Sequence, residues 1–156
     1  MTQTALISQH FKGIFFGGNW TAVNVRDTIT PISLEQAKTK INDCNTIAAL
    51  VFHINYYIEG VLPVFEGGTL DIKDKFSYDT PDFETEELWD KFKIQLLQNA
   101  ENLNNRISAL SETELYQTFV EEKYGSYYSN IHGLIEHTHY HLGQITILIK
   151  LITKDQ

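Results

Sequence analysis

Hydrophobic residues recur at alternating spacings of three and four in four stretches of the chain, separated by polar or glycine-containing connections. That period belongs to amphipathic helices. The first stretch, about 4–16, closes at Gly17-Gly18, a helix stop, and Asn19-Trp20-Thr21 begins a polar connection that Trp20 is expected to anchor. The second, 33–62, opens on Ser33-Leu34-Glu35-Gln36, where a Ser hydroxyl and a Gln side chain can satisfy the open amides of a first turn. Its stripe of Leu34, Ala37, Ile41, Cys44, Ala48, Val51, Asn55 and Ile58 is interrupted only by Asn55, and the helix is expected to end before Pro63.

Glu66-Gly67-Gly68 opens a crossover that runs to about Phe83. The third stretch, 85–110, sets Trp89, Phe92, Leu96, Leu103, Ile107 and Leu110 on one side and polar residues on the other. A second capping pattern, Ser111-Glu112-Thr113-Glu114, predicts a short turn of helix before a mixed stretch punctuated by Gly125. The last stretch, 128–153, repeats Ile131, Ile135, Thr138, Leu142, Ile145, Ile149 and Ile152; its β-branched content suits a strand, but its length and sustained stripe predict helix. The pattern therefore predicts an all-α fold, a four-helix bundle with long crossover connections, over one domain, 1–156.

Composition narrows the function classes. At 156 residues, 42% of them hydrophobic, the chain can bury one core and does not hold two domains. No uninterrupted apolar run approaches the roughly 18 residues of a membrane span. A net charge of -8, with Arg26 and Arg106 the only arginines, argues against nucleic acid and anionic membranes as partners. The first residues lack an export signal, so a cytoplasmic address is expected. Cys44 is the single cysteine, which removes internal disulfides and cysteine-rich metal sites. On the stripe of the second helix it reads as a small core residue.

Histidine carries the remaining chemistry. Four of six lie within His132-Gly133-Leu134-Ile135-Glu136-His137-Thr138-His139-Tyr140-His141. On a helix, His137 and His141 fall about 40° apart and can share one ion, whereas His132 and His139 align with each other on the opposite flank. Neutral imidazole suits zinc, nickel, copper and ferrous iron, with zinc and nickel the leading candidates. A third ligand has to come from a neighbouring helix, and His53 stands in the apolar run Ile47–Ile54. A lone histidine in such a run is usually a core residue bonded to a carbonyl, and it is the combination with the pair in a bundle that favours a ligand. His10, His132 and His139 read as surface or interface residues. His137 is followed by Thr138, which rules out the His-Glu-x-x-His protease motif; Glu136 and His139 make half of a di-iron pattern with no second copy, so Glu136 reads as a solvated charge.

Gly17-Gly18-Asn19-Trp20 after a first helix, a histidine in an apolar second helix, and Gly133-Leu134-Ile135-Glu136-His137-Thr138-His139-Tyr140-His141-Leu142-Gly143-Gln144-Ile145 in the last together resemble the DinB/YfiT-like metal-binding superfamily. The resemblance spans nearly the whole chain. It implies an up-down-down-up bundle, often a homodimer, that holds one divalent metal through His53, His137 and His141. The nearly all-round apolar Ile47–Ile54 run is a second motive for a dimer. Thr138 stands where that family frequently has Asp, and Tyr57 where it has Trp; these departures bear on the groups behind the ligands and on the pocket. Characterised relatives transfer or isomerise groups with a low-molecular-weight thiol. The resemblance thus implies a metal-dependent transferase with a thiol cosubstrate and a small-molecule substrate, the alternatives being a metal-dependent hydrolase and a nonenzymatic metal- or ligand-binding bundle.

Overall fold

The computed structural model describes residues 1–154, and among them every regular element is helical. Seven α-helices follow one another: α1 (Gln3–Phe16), α2 (Val25–Ile29), α3 (Leu34–Lys38), α4 (Ile47–Phe65), α5 (Glu86–Ala109), α6 (Glu112–Leu115) and α7 (Tyr127–Lys154). Side-chain oxygens cap six of them at their N-termini: Thr2, Asn24, Ser33, Thr46, Thr85 and Ser111 each accept an otherwise open amide. Both expected capping boxes form, at Ser33/Gln36 and Ser111/Glu114.

The four long helices close a ring in which α1 packs on α5 and α7, and α4 packs on the same two. Chain neighbours α1 and α4 therefore sit across the ring, as do α5 and α7, so their connections have to pass over an end of the ring. Phe11, Ile14, Leu50, Ile54, Leu96 and Ile145 fill the space between and are fully or almost fully buried. Asn55 finds partners inside: its Nδ2 donates to Glu59 and its Oδ1 accepts from Asn99, which explains the interrupted stripe. Trp89 Nε1 and Lys93 Nζ both donate to the Ile32 carbonyl, at 2.8 and 2.9 Å, and tie the α2–α3 connection to α5.

Four expectations need correction. The second helical stretch is not continuous: α3 stops at Lys38, residues 39–46 are not helical, and α4 restarts on the Thr46 cap. Asn42 takes a left-handed φ of 46° there, and Asp43 and Asn45 offer local side-chain bonds that compete with helix. Cys44 consequently lies exposed in this connection, not on a buried stripe. At the other end α4 runs through Pro63 to Phe65; Pro63 and Glu59, whose carbonyl loses its amide partner, are both exposed to water. Trp20 anchors nothing: it is fully exposed, while Asn19 Nδ2, donating to the Val23 carbonyl at 2.7 Å, holds the turn.

Helix α4, with a mean hydropathy of 1.4 over 18 of its 19 residues, is long and apolar enough to cross a membrane by length and composition, although His53, Asn55 and Glu59 interrupt the apolar run. Here that apolar surface is used inside the chain: α3, α5 and α7 pack on it, and every residue of the Ile47–Ile54 run is buried or half-buried.

Candidate metal centre

His53 points from the middle of α4 toward α7, where His137 and His141, one turn apart, meet it. The three ring centroids stand 4.5–4.8 Å apart. One nitrogen of each ring lies within 4.8 Å of the other two, and among the described residues no cysteine or carboxylate joins the group. The spacing places the α7 pair, and the α4–α7 packing brings the third ring to it.

Groups behind the rings set their tautomers. The Ser77 carbonyl, which only accepts, takes the Nδ1–H of His53 at 3.1 Å. Gln144 Oε1 takes that of His141 at 2.7 Å. In both neutral rings the Nε2 lone pair is then free for the centre. His53 Nε2 meets His137 Nε2 at 2.9 Å, so in this contact His137 is the donor and His53 the acceptor. A cation held by His53, His137 and His141 would require that shared hydrogen to leave as a proton. Nitrogens at about 2.1 Å from one ion stand at most about 4.2 Å apart, so small side-chain rotations bring this donor set into a coordination sphere. The residues fit a divalent metal of the imidazole-preferring class.

Electrostatics favour the same state. Burial pushes His137 down to about 4, and the neighbouring His141 and His53 add to the shift. Burial also lowers His53, partly opposed by the Ser77 carbonyl, and lowers His141, partly opposed by Gln144. All three imidazoles are neutral at pH 7, the form that ligates.

Aromatic rings wall the cluster. Tyr78 stacks on His53 with centroids 4.0 Å apart and planes at 12°, and Tyr57 meets both His53 and His137 edge-on. The crossover that carries Ser77 and Tyr78 is laid along α4 by that helix's own side chains. Tyr56 OH donates to the Lys73 carbonyl and accepts from the Lys73 amide, and Tyr57 OH donates to Asp74. At Gly60 a Cβ would stand 2.3 Å from Ile72 Cγ2, so the absent side chain is what lets the crossover lie so close. A cavity of about 480 Å³ opens beside the cluster, with Tyr57 and His137 in its wall.

The other expected residues have different places. His10 and His132 stand with centroids 6.3 Å apart on the α1 side of α7, and His132 packs on Tyr128 at 4.5 Å. His139 is half-buried, and its buried Nε2 has no hydrogen-bond partner among the described residues. Glu136 is exposed, as a solvated charge should be. Thr138 turns into the core and donates to the Leu134 carbonyl, so it is not a group behind the ligands. The sequence reading missed Ser77 and Gln144. Gln144 carried a signal, its place one turn after His141; a backbone carbonyl from a distant crossover carries none.

Comparison with protein-family models, curated proteins and solved structures finds no match to this chain.

Proposed function

We propose that this protein is a DinB/YfiT-like four-helix bundle that holds one divalent metal through His53, His137 and His141 and uses it to activate a low-molecular-weight thiol, or water, for attack on a small electrophile. One observation carries the reading: three imidazoles from two helices each bring one nitrogen within 4.8 Å of the other two, and two of the rings are braced from behind by Ser77 and Gln144. Purely structural zinc sites are closed by four protein ligands, whereas three leave a position for a reactant. An ion on three uncharged ligands keeps its full charge and lowers the pKa of a thiol or water it coordinates.

The chain's own groups supply the rest. Tyr57 and Tyr78 exclude bulk water from two sides of the cluster, and the neighbouring cavity holds the electrophile against His137. Exposed Cys44 stands nine positions before His53 in the α3–α4 connection and takes no part as nucleophile. The test is metal analysis of the purified protein, then thiol consumption with a panel of electrophiles by metal-loaded and chelated samples. Consumption that depends on the metal and survives Cys44→Ala supports the reading; activity that outlasts chelation and vanishes with Cys44→Ala replaces it with covalent catalysis.

A further inference from the structure

The cavity beside the histidines is shaped by a side chain that is missing. Its volume, about 480 Å³, lies in the range of small-molecule sites. Lys73 and Asp74 both border it, one charge of each sign, so selection falls to its shape and its apolar wall. On the α7 side that wall includes Asn130, Gly133, Leu134 and His137, which share one face of the helix. The face extends for about 10 Å along the helix axis and ends at His137. Elsewhere the wall carries the rings of Tyr57, Phe119 and Tyr124.

Nothing inside the protein requires glycine at 133. It sits in α7 without a positive φ, and a Cβ there would meet no atom within 4 Å. Glycine in a helix interior is less stable than alanine, so the missing side chain costs stability and gains no internal contact. Gly60 is the contrast, since a Cβ there runs into Ile72. A side chain at 133 would lean toward the helix N-terminus, over Ser129 and Asn130, which line the same cavity. Its absence leaves a slot of bare helix backbone one turn before His137. Backbone without a Cβ can be approached closely, and a planar ring is thin enough to lie on it. The aromatic rings in the wall suit the edges and faces of such a ring.

We propose that Gly133 is the specificity-determining position of this cavity, and that the ligand it admits is a small molecule with a flat aromatic body laid against the bare α7 backbone. The proposal rests on the reading above in taking this cavity as the substrate's place, and it does not need the metal.

The test has its control in the same helix. At Gly143, too, a Cβ would meet nothing, but that residue lies on another flank of α7, beside Thr21 and Val23. Gly133→Ala and Gly143→Ala should each raise the melting temperature by about 2–4 °C, the gain from alanine in a helix. Zinc-loaded full-length protein, with zinc content measured in every sample, is titrated calorimetrically with 3-phenylpropanamide and 3-cyclohexylpropanamide. These neutral ligands differ in the flatness of one ring, and the cyclohexyl ring is the more apolar. The unsubstituted protein should nevertheless bind the phenyl amide about threefold tighter or more. Gly133→Ala should weaken that binding about fivefold or more, the low end of overpacking, and Gly143→Ala should leave it unchanged. Unchanged binding in Gly133→Ala, no preference for the flat ring, equal weakening in both variants, or no binding of either amide each overturns the proposal. Weakening that comes only with lost zinc overturns it too, because the helix around His137 has then changed. Zinc absent from the unsubstituted protein, while the ring preference and its loss in Gly133→Ala hold, removes the metal reading and supports this one.

Discussion

The helix α7 carries histidines on two sides, and the two groups have opposite fates. His137 and His141 meet His53 of α4 within 4.8 Å, and two of these three rings have a fixed acceptor behind them. On the α1 side, His132 and His139 stand seven residues apart, about two turns, too far for one ion. His10 approaches His132 only to 6.3 Å, and the buried Nε2 of His139 is left without a partner. The same residue type on the same helix therefore makes a candidate centre only where a neighbouring helix adds a ring and other groups hold the outer nitrogens. Convergence and bracing distinguish the two groups, not histidine content.

That comparison breaks most sharply under single substitutions. Replacing His53, His137 or His141 by Ala should lower bound metal from about one ion per chain toward none, while His10→Ala, His132→Ala and His139→Ala should leave it unchanged. Metal analysis after purification decides; equal retention in all six variants removes the distinction. Bracing comes next. Gln144→Ala should weaken metal affinity by about 10–100-fold, the usual effect of removing a group behind a ligand, read by competition with a chelating dye.

Acid should expose the same asymmetry in metal-free protein. The unfolded chain takes up a proton at His137 near 6.5, whereas the folded chain holds it off to about 4. Between those values the unfolded state binds more protons, so stability is full above pH 6.5 and falls as the pH drops toward 4. Because His137 is only half-buried, solvent screening reduces the loss to about 1 kcal/mol. Thermal unfolding at stepped pH should show a shallower fall in His137→Asn than in His132→Asn.

A smaller effect probes the crossover that braces the first group. Gly60→Ala puts a methyl into Ile72 and should cost about 1–3 kcal/mol, as overpacking does. It should also weaken metal binding, because Ile72 and Ser77 lie on the same strap; unchanged affinity would show that the strap does not position His53. Cys44→Ala, at an exposed position, should change stability by no more than about 0.5 kcal/mol and leave metal binding intact.

Much of this was legible in the chain because local rules govern it. The capping boxes at Ser33 and Ser111 formed, since a hydroxyl and an acceptor three residues on satisfy each other's turn without help from afar. The stripes of α5 and α7 are buried where the period of 3.6 puts them: Trp89, Leu96, Leu103 and Ile107 on one, Ile131, Ile135, Leu142 and Ile145 on the other. The break between α3 and α4 was not legible from the stripe, because an apolar period continues across residues 39–46 although Asn42, Asp43 and Asn45 favour a non-helical turn.

By itself the sequence determined an all-helical chain, the pairing of His137 with His141, and an unusual polar ring at His53; periodicity and helix geometry are properties of a few consecutive residues. Only the tertiary structure decided that α4 lies against α7 so that the third ring arrives, and that a carbonyl at Ser77, twenty-four positions from His53, fixes its tautomer. It also decided that Lys73 borders the cavity while Cys44 lies exposed away from the core. Those relations join segments far apart in the chain. They depend on how helices pack and where a crossover runs, which no local pattern encodes.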